Sequence, residues 1–251
     1  MTAPALLTGR RVLVTGGGRG IGAATVDTFA AMGAVGVAVD LPGTTWSLPD
    51  GWIGAEADVT DEEQVAAAVA RGADHLGGID GVVAAAGIVP TWQSPADLDL
   101  TDFDRVLAVN VHGVAATLKH VGARLGQGSS VVVVGSLNSW RGDPNIWSYV
   151  ASKHAVLGLV RSSAAALGPR GVRVNCVAPG PVATDALLDR MAARAETGTR
   201  STDQALVAAA GQTALGRIAT TADVVHALAF LTSDLAAGIT GQLLPVDGGL
   251  L

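Results

Sequence analysis

Eight residues near the N-terminus, Thr15-Gly16-Gly17-Gly18-Arg19-Gly20-Ile21-Gly22, restrict the possible folds more than any other stretch. They follow a short apolar run, RVLVT at Arg11 to Thr15, and lead into an Ala-rich helical stretch from about Ile21 to Met32. A turn this tight between a strand and a helix calls for residues that tolerate positive φ, which glycine does without steric cost. Missing side chains also let backbone approach a pyrophosphate, and the free N–H groups and positive dipole end of the helix attract that anion. A glycine-rich turn alone can be only a turn. In this strand–turn–helix setting it predicts dinucleotide binding, with Gly16, Arg19, Gly20, Ile21 and Gly22 as contacts.

The rest of the chain continues the alternation. Val35 to Val39 is an apolar run ending at Asp40, and Trp52 to Ala57 is a third strand candidate. Thr60-Asp61-Glu62-Glu63 reads as a capping box, with Thr60 as the cap of a helix carrying Val65 and Val69. Gly81 to Ala86 is a strand. Thr101 opens a long helix with Val106, Leu107, Val114, Leu118 and Val121 at helical spacing. Ser130 to Val134, Val172 to Val177 and Gln242 to Val246 are further strands; Tyr149 to Leu167 and Asp223 to Leu231 are further helices. Alternating strands and helices imply a parallel sheet with right-handed crossovers. Four consecutive valines at 131–134, in a chain 49% hydrophobic and 15% charged, suit strands buried on both faces. The expected fold is α/β, one doubly wound Rossmann-type domain over 1–251, with about seven parallel strands and helices on both faces. Residues 185–213 are polar but helical in pattern and form a candidate substrate-covering segment.

The net charge of -6 and the lack of a basic stripe argue against a nucleic-acid partner. Cys176 is the single cysteine, so no internal disulfide forms. No 18-residue uncharged apolar run and no apolar signal core is present, so the expectation is a cytoplasmic protein without a membrane span. His75, His112, His120, His154 and His226 lack ligand spacing, and no metal site is expected.

Asp40 bears on the cofactor. A carboxylate at the end of the second strand of a dinucleotide fold accepts hydrogen bonds from ribose hydroxyls and repels a 2′-phosphate. Arg19 pulls the other way, because a guanidinium in the turn suits that phosphate. A charge clash is harder to relieve than an arginine that swings into solvent, so NAD is expected over NADP. The chain's one tyrosine, Tyr149, stands four residues before Lys153, on one helix face. A free phenol is a poor base near neutral pH, and a nearby ammonium favours the phenolate. A tyrosine stacked on a lysine stem would look the same. Ser136, at the end of the four-valine strand, adds a hydroxyl where ligands sit in open α/β sheets. Asn110 is a polar residue inside an apolar helix and reads equally as a surface Asn.

Taken together, in order and with their spacing, these segments resemble the short-chain dehydrogenase/reductase family over essentially the whole chain. The resemblance rests on the Thr15-to-Gly22 turn, Asp58-Val59, Ala84-Ala85-Ala86-Gly87, Asn110, Ser136, Tyr149, Lys153 and Asn175-Cys176-Val177-Ala178-Pro179-Gly180. It implies Tyr149 as catalytic acid/base, Lys153 as its activator and a ligand of the nicotinamide ribose, and Ser136 as orienter of the substrate oxygen. It implies that Asn110 supports a water leading protons to Lys153. Asp58 and Val59 match adenine contacts, Val182 and Thr184 match carboxamide contacts, and Gly87 and Pro179 belong to the cofactor site. One departure stands out: Ala84 occupies a place where the family usually has Asn, so local repacking is expected.

The implied activity is interconversion of a secondary alcohol and a ketone with NAD. Candidate pocket walls are Trp92, Leu137, Asn138, Trp140, Trp147, Leu187, Leu188 and Met191, beside Val89 and Pro90, and their apolar character favours a hydrophobic or cyclic substrate. Each tryptophan reads equally as ordinary packing. No charged residue stands out as a clamp for a carboxylate or coenzyme A, though Arg141 and Arg194 could serve. The resemblance also implies a homotetramer packed through the helices starting near Thr101 and Tyr149. Alternatives are a sugar or 3-oxoacyl-thioester enzyme of the same family, or a non-catalytic nucleotide-binding regulator.

Overall fold

The computed structural model describes residues 5–184, 187 and 201–250. Seven strands form one sheet: β1 (Arg11–Thr15), β2 (Val35–Asp40), β3 (Trp52–Glu56), β4 (Gly81–Ala84), β5 (Ser130–Val134), β6 (Arg173–Pro179) and β7 (Leu243–Val246). Their order is β3-β2-β1-β4-β5-β6-β7 and every pairing is parallel. The chain reverses its direction of growth between β1 and β4, and at such a switch point the carboxyl ends of the strands open a crevice for a ligand.

Helices cover both faces. They are α1 (Gly20–Ala31), α2 (Glu62–Leu76), α3 (Leu100–Leu107), α4 (Gly113–Gly122), α5 (Trp147–Leu167), α6 (Thr202–Ala210) and α7 (Thr221–Thr232). The run of valines in β5 shows why both faces need cover. Val131 and Val133 join Val65, Val69, Val114, Val121, Val156 and Val160 in the core under α2, α4 and α5. Val132, between them, joins Val12, Val14, Phe29, Val224 and Leu228 in the core under α1 and α7. Alternate strand residues point to opposite faces, and each fully buried side chain of this kind contributes roughly 1.5–3 kcal/mol. No helix among the described residues is long and apolar enough to cross a membrane.

Local chemistry shifts several expected boundaries. The cap of α2 is Asp61, not Thr60: the Asp61 side chain accepts from the N–H groups of Glu63 and Gln64. Thr60 is already committed, because its N–H and its hydroxyl both donate to Asp58 Oδ1, at 2.9 and 2.7 Å. The long helix expected from Thr101 is interrupted by a π-helical turn at Ala108–His112 between α3 and α4. α5 starts two residues before Tyr149, at Trp147. β4 stops at Ala84, and β6 runs on to Pro179 by pairing with β7. α7 begins at Thr221 behind a capping box of Thr220 and Asp223.

Candidate active site

The glycine turn joins β1 to α1 at the carboxyl edge of the sheet. Gly16 has φ +70°, and a Cβ there would lie 2.7 Å from the Ala86 nitrogen. A Cβ on Gly22 would lie 1.9 Å from the Gly16 carbonyl oxygen. At Gly16 and Gly22 the turn therefore has no room for a side chain. Arg19 is the N-cap residue of α1 and is exposed; it makes no side-chain cap, and no acid stands in the first helical turn. The first amides of α1 thus remain available to an anion. This bare cradle fits the pyrophosphate of a dinucleotide.

Asp40, at the end of β2, faces the same turn. Its Oδ2 accepts from the Gly18 N–H at 2.7 Å and its Oδ1 from the Leu41 N–H at 2.8 Å. The Ala57 N–H donates to the Asp40 carbonyl at 2.8 Å, which brings Asp58 and Val59 alongside. Val59 is wedged against α4, where a Cβ on Gly113 would come within 2.8 Å of its Cγ2.

Ser136 follows β5 directly and is 7% exposed. Its Oγ accepts from the Asn138 N–H at 3.1 Å and donates to Asn138 Oδ1 at 3.4 Å. Tyr149 stands half-buried in the first turn of α5. One turn later Lys153 is buried, its Nζ donating to the Val134 carbonyl at 2.9 Å and lying 5.4 Å from the centroid of the Tyr149 ring. The ammonium is thus held between the end of β5 and the phenol.

Asn110 sits on the π-turn and is buried. Its Oδ1 accepts from the Ile88 N–H at 2.8 Å, and its Nδ2 donates to the Ile88 carbonyl at 2.9 Å and to Ser152 Oγ at 3.1 Å. Ser152 in turn donates to the Tyr149 carbonyl at 2.7 Å. Asn110 therefore ties the loop after β4 to the first turn of α5. Gly87 leaves room for this tie, since a Cβ there would be 3.2 Å from Asn110 Oδ1 and 3.8 Å from Lys153 Nζ.

Beyond Ala84 the chain stays tied to β1: the Thr15 carbonyl accepts from the Ala85 N–H at 3.1 Å, and the Thr15 hydroxyl accepts from the Ala86 N–H at 3.5 Å. Below the site, burial pushes the Cys176 thiol up to about 11, partly opposed by Lys153, which makes it a poor nucleophile.

Ser136, Tyr149 and Lys153 line one cavity of about 1000 Å³ together with Ile21, Gly87, Pro179, Val182 and Thr184. Trp92, Leu137, Asn138 and Leu187 line it as well. Gly16, Arg19, Gly20, Gly22, Asp40, Asp58, Val59 and Asn110 do not line it; they form the adjoining turn, strand ends and support. Trp140 and Trp147 are not in the wall. They are 42% and 45% exposed, and the Trp147 indole donates to the Pro144 carbonyl at 2.9 Å. Arg141 is exposed and not in the wall. Leu188, Met191 and Arg194 lie outside the described residues. Sequence reasoning overlooked Ile88, Asp143 and Ile146; from the 185–213 segment expected to cover substrate, Ala205, Ala208, Ala209 and Gln212 line the cavity from α6 and its end, though none was singled out. That last set has helical spacing and was readable; Asp143 carried no such signal.

Comparison with known proteins bears on the family and the fold. The family profile described as enoyl-(acyl carrier protein) reductase matches residues 16–251. The chain is 38% identical to (+)-cis,trans-nepetalactol synthase NEPS1 of Nepeta racemosa, covering 98% of this chain and 92% of that protein. It is also 38% identical to the mitochondrial (-)-isopiperitenol/(-)-carveol dehydrogenase of Mentha piperita, covering 97% and 94%. Among solved structures, the aldohexose dehydrogenase of Thermoplasma acidophilum in ligand-free form superposes with a TM-score of 0.89 at 27% identity, covering 99% of this chain and 96% of that one. Levodione reductase superposes at 0.86 with 31% identity, covering 96% and 97%.

Proposed function

We propose that this chain, which belongs to the short-chain dehydrogenase/reductase family, is an NAD(H)-dependent oxidoreductase that interconverts a secondary alcohol and its ketone on a hydrophobic, cyclic small molecule. One observation carries the reading: the Tyr149 phenol, the Lys153 ammonium and the Ser136 hydroxyl line a single cavity next to a glycine turn built for a pyrophosphate. The dehydrogenase named for isopiperitenol and carveol supports a ring alcohol as substrate.

In the oxidative direction Ser136 and Tyr149 hold the alcohol oxygen and Tyr149 takes its proton. Lys153, kept in place by the Val134 carbonyl, sets a positive charge 5.4 Å from the centroid of the Tyr149 ring, complementary to the negative charge the phenol oxygen carries in the exchange. Asn110 holds the start of α5 in register with the loop after β4, which fixes where the phenol points. The glycine turn, the first amides of α1 and Asp40 would hold the dinucleotide, with Pro179, Val182 and Thr184 around its nicotinamide. When bound, that group supplies the hydride acceptor. Asp40 is the ground for NAD over NADP.

The name of the matching profile and that of the aldohexose dehydrogenase favour a second reading, an acyl thioester or a sugar as substrate. The same helices, α3 to α5, would form a homotetramer. Ala155, Ala165 and Ala166 are exposed on α5 and suit close contact, whereas Ala164 is buried in the chain's own core.

Purified protein, NAD+ and a panel of cyclic secondary alcohols, sugars and 3-hydroxyacyl thioesters test the activity through absorbance of the reduced cofactor. Cyclic alcohols are expected to give the highest kcat/KM. Tyr149→Phe is expected to lower turnover by about 10²–10⁴-fold with an unchanged melting temperature. Full turnover by Tyr149→Phe would remove the proposed chemistry.

A further inference from the structure

The cavity carries one feature that the hydride chemistry does not use. Its described lining contains two charged side chains, Lys153 and Asp143. Lys153 is committed to the Val134 carbonyl and the phenol. Asp143 stands in the loop before α5, six positions ahead of Tyr149, half-buried. Its Oδ1 accepts from the Asn145 backbone N–H at 2.9 Å and from Asn145 Nδ2 at 3.3 Å. Its Oδ2 accepts no hydrogen bond from the described residues. The loop itself is fixed, because the Asn145 carbonyl accepts from the Gln93 N–H at 2.9 Å. Asp143 therefore stands in the lining of the cavity, one carboxylate oxygen engaged by its own turn and the other unengaged by the described residues.

A half-buried carboxylate in the wall of a substrate cavity discriminates between ligands. A substrate that brings a donor completes the site, and one that brings an anion meets like charge. Resting on the alcohol-oxidising reading above, we propose that Asp143 is a specificity-determining residue that accepts a hydrogen bond from a second hydroxyl of the substrate. The substrate class is then a neutral cyclic diol or hydroxyketone, and hydroxy acids of the same ring are excluded. The reacting hydroxyl lies at Ser136 and Tyr149, and the second is read by Asp143 Oδ2.

The experiment uses the full chain with NAD+ and compares cyclohexanol, the 1,2-, 1,3- and 1,4-cyclohexanediols and the matching hydroxycyclohexanecarboxylates. The expected result is a kcat/KM for the best diol at least about tenfold above cyclohexanol, with every carboxylate below both. In Asp143→Ala and Asp143→Asn the diol advantage falls to within about twofold, and Asp143→Ala gains on the carboxylates. Asp143→Asn keeps an oxygen for the Asn145 turn, so it serves if the alanine variant fails to fold. Equal kcat/KM for cyclohexanol and all diols, or an undiminished diol preference in both variants, overturns the assignment while alcohol oxidation stands. Absence of turnover on every alcohol, and on the corresponding ketones with NADH, overturns the dehydrogenase reading and the assignment with it.

Discussion

Removing the charge of Asp40 is expected to erase the preference between the two nicotinamide cofactors. The carboxylate is pinned at the mouth of the glycine turn, 2.7 Å from the Gly18 nitrogen, and a Cβ on Gly18 would sit 2.9 Å from Oδ2. A 2′-phosphate would have to share that corner. Two unit charges about 4 Å apart at an effective dielectric of about 20 repel by about 4 kcal/mol. Asp40 is only half-buried, so solvent screens part of this, and the second charge of a phosphate restores part. A repulsion of about 2–4 kcal/mol corresponds to roughly 30- to 1000-fold in affinity. Asp40→Asn keeps one of the two acceptor oxygens, enough for the Gly18 N–H, and deletes the charge. Fluorescence titration with NADH and NADPH gives the Kd ratio without any substrate. The wild type should favour NADH by that factor, less so at high salt, and Asp40→Asn should bring the ratio within about threefold of unity. A wild-type preference for NADPH, or a ratio that Asp40→Asn leaves unchanged, refutes the reasoning.

Three further outcomes follow from the coordinates. Gly22→Ala should abolish NADH binding and lower the melting temperature, because its Cβ would sit 1.9 Å from backbone; Gly20→Ala, with φ +57° but nothing within 4 Å, should cost only about 1–2 kcal/mol. Equal effects of the two would show that the turn is not close-packed. Arg173 is 8% exposed and donates to the carbonyls of Leu231 at 2.8 Å and Ser233 at 3.0 Å at the end of α7. Arg173→Met should therefore cost about 3 kcal/mol, a fall in melting temperature of about 6–12 °C; a fall below about 2 °C would count against the two bonds. The Asp223 carboxyl is held well below its ordinary range, first by the Arg217 side chain and then by Thr220. A depressed folded-state value means the contribution is complete above the unfolded-state value and disappears as pH falls through the folded one. Urea unfolding at pH 6 and pH 3 should show a smaller loss in Asp223→Asn than in wild type, and an identical loss would exclude the linkage.

Strand positions were legible because buried parallel strands leave continuous apolar runs, and Ser130 to Val134 is the clearest. The proton-transfer group was legible because spacing along a helix is a local property, so Tyr149 and Lys153 could be paired without coordinates. What stayed hidden depends on partners distant in sequence. Thr60 matches a capping pattern as well as Asp61 does, and only the pull of Asp58 on Thr60 decides between them. The π-turn at Asn110 exists to serve Ile88 and Ser152, 22 residues before it and 42 after it. Trp140 and Trp147 follow and precede site residues in the chain, yet proximity in sequence did not place them in the wall. Asp143 reaches it because its loop is braced from another part of the fold.

The hydrogen bond from the Gln93 N–H to the Asn145 carbonyl ties two segments together through their backbones, one after β4 and one before α5. A graft that alters the backbone path of either segment alone would break that tie. Recombination or redesign aimed at new substrates should therefore exchange residues 88–98 and 137–146 as a pair, and single-segment chimaeras should lose selectivity before they lose the fold.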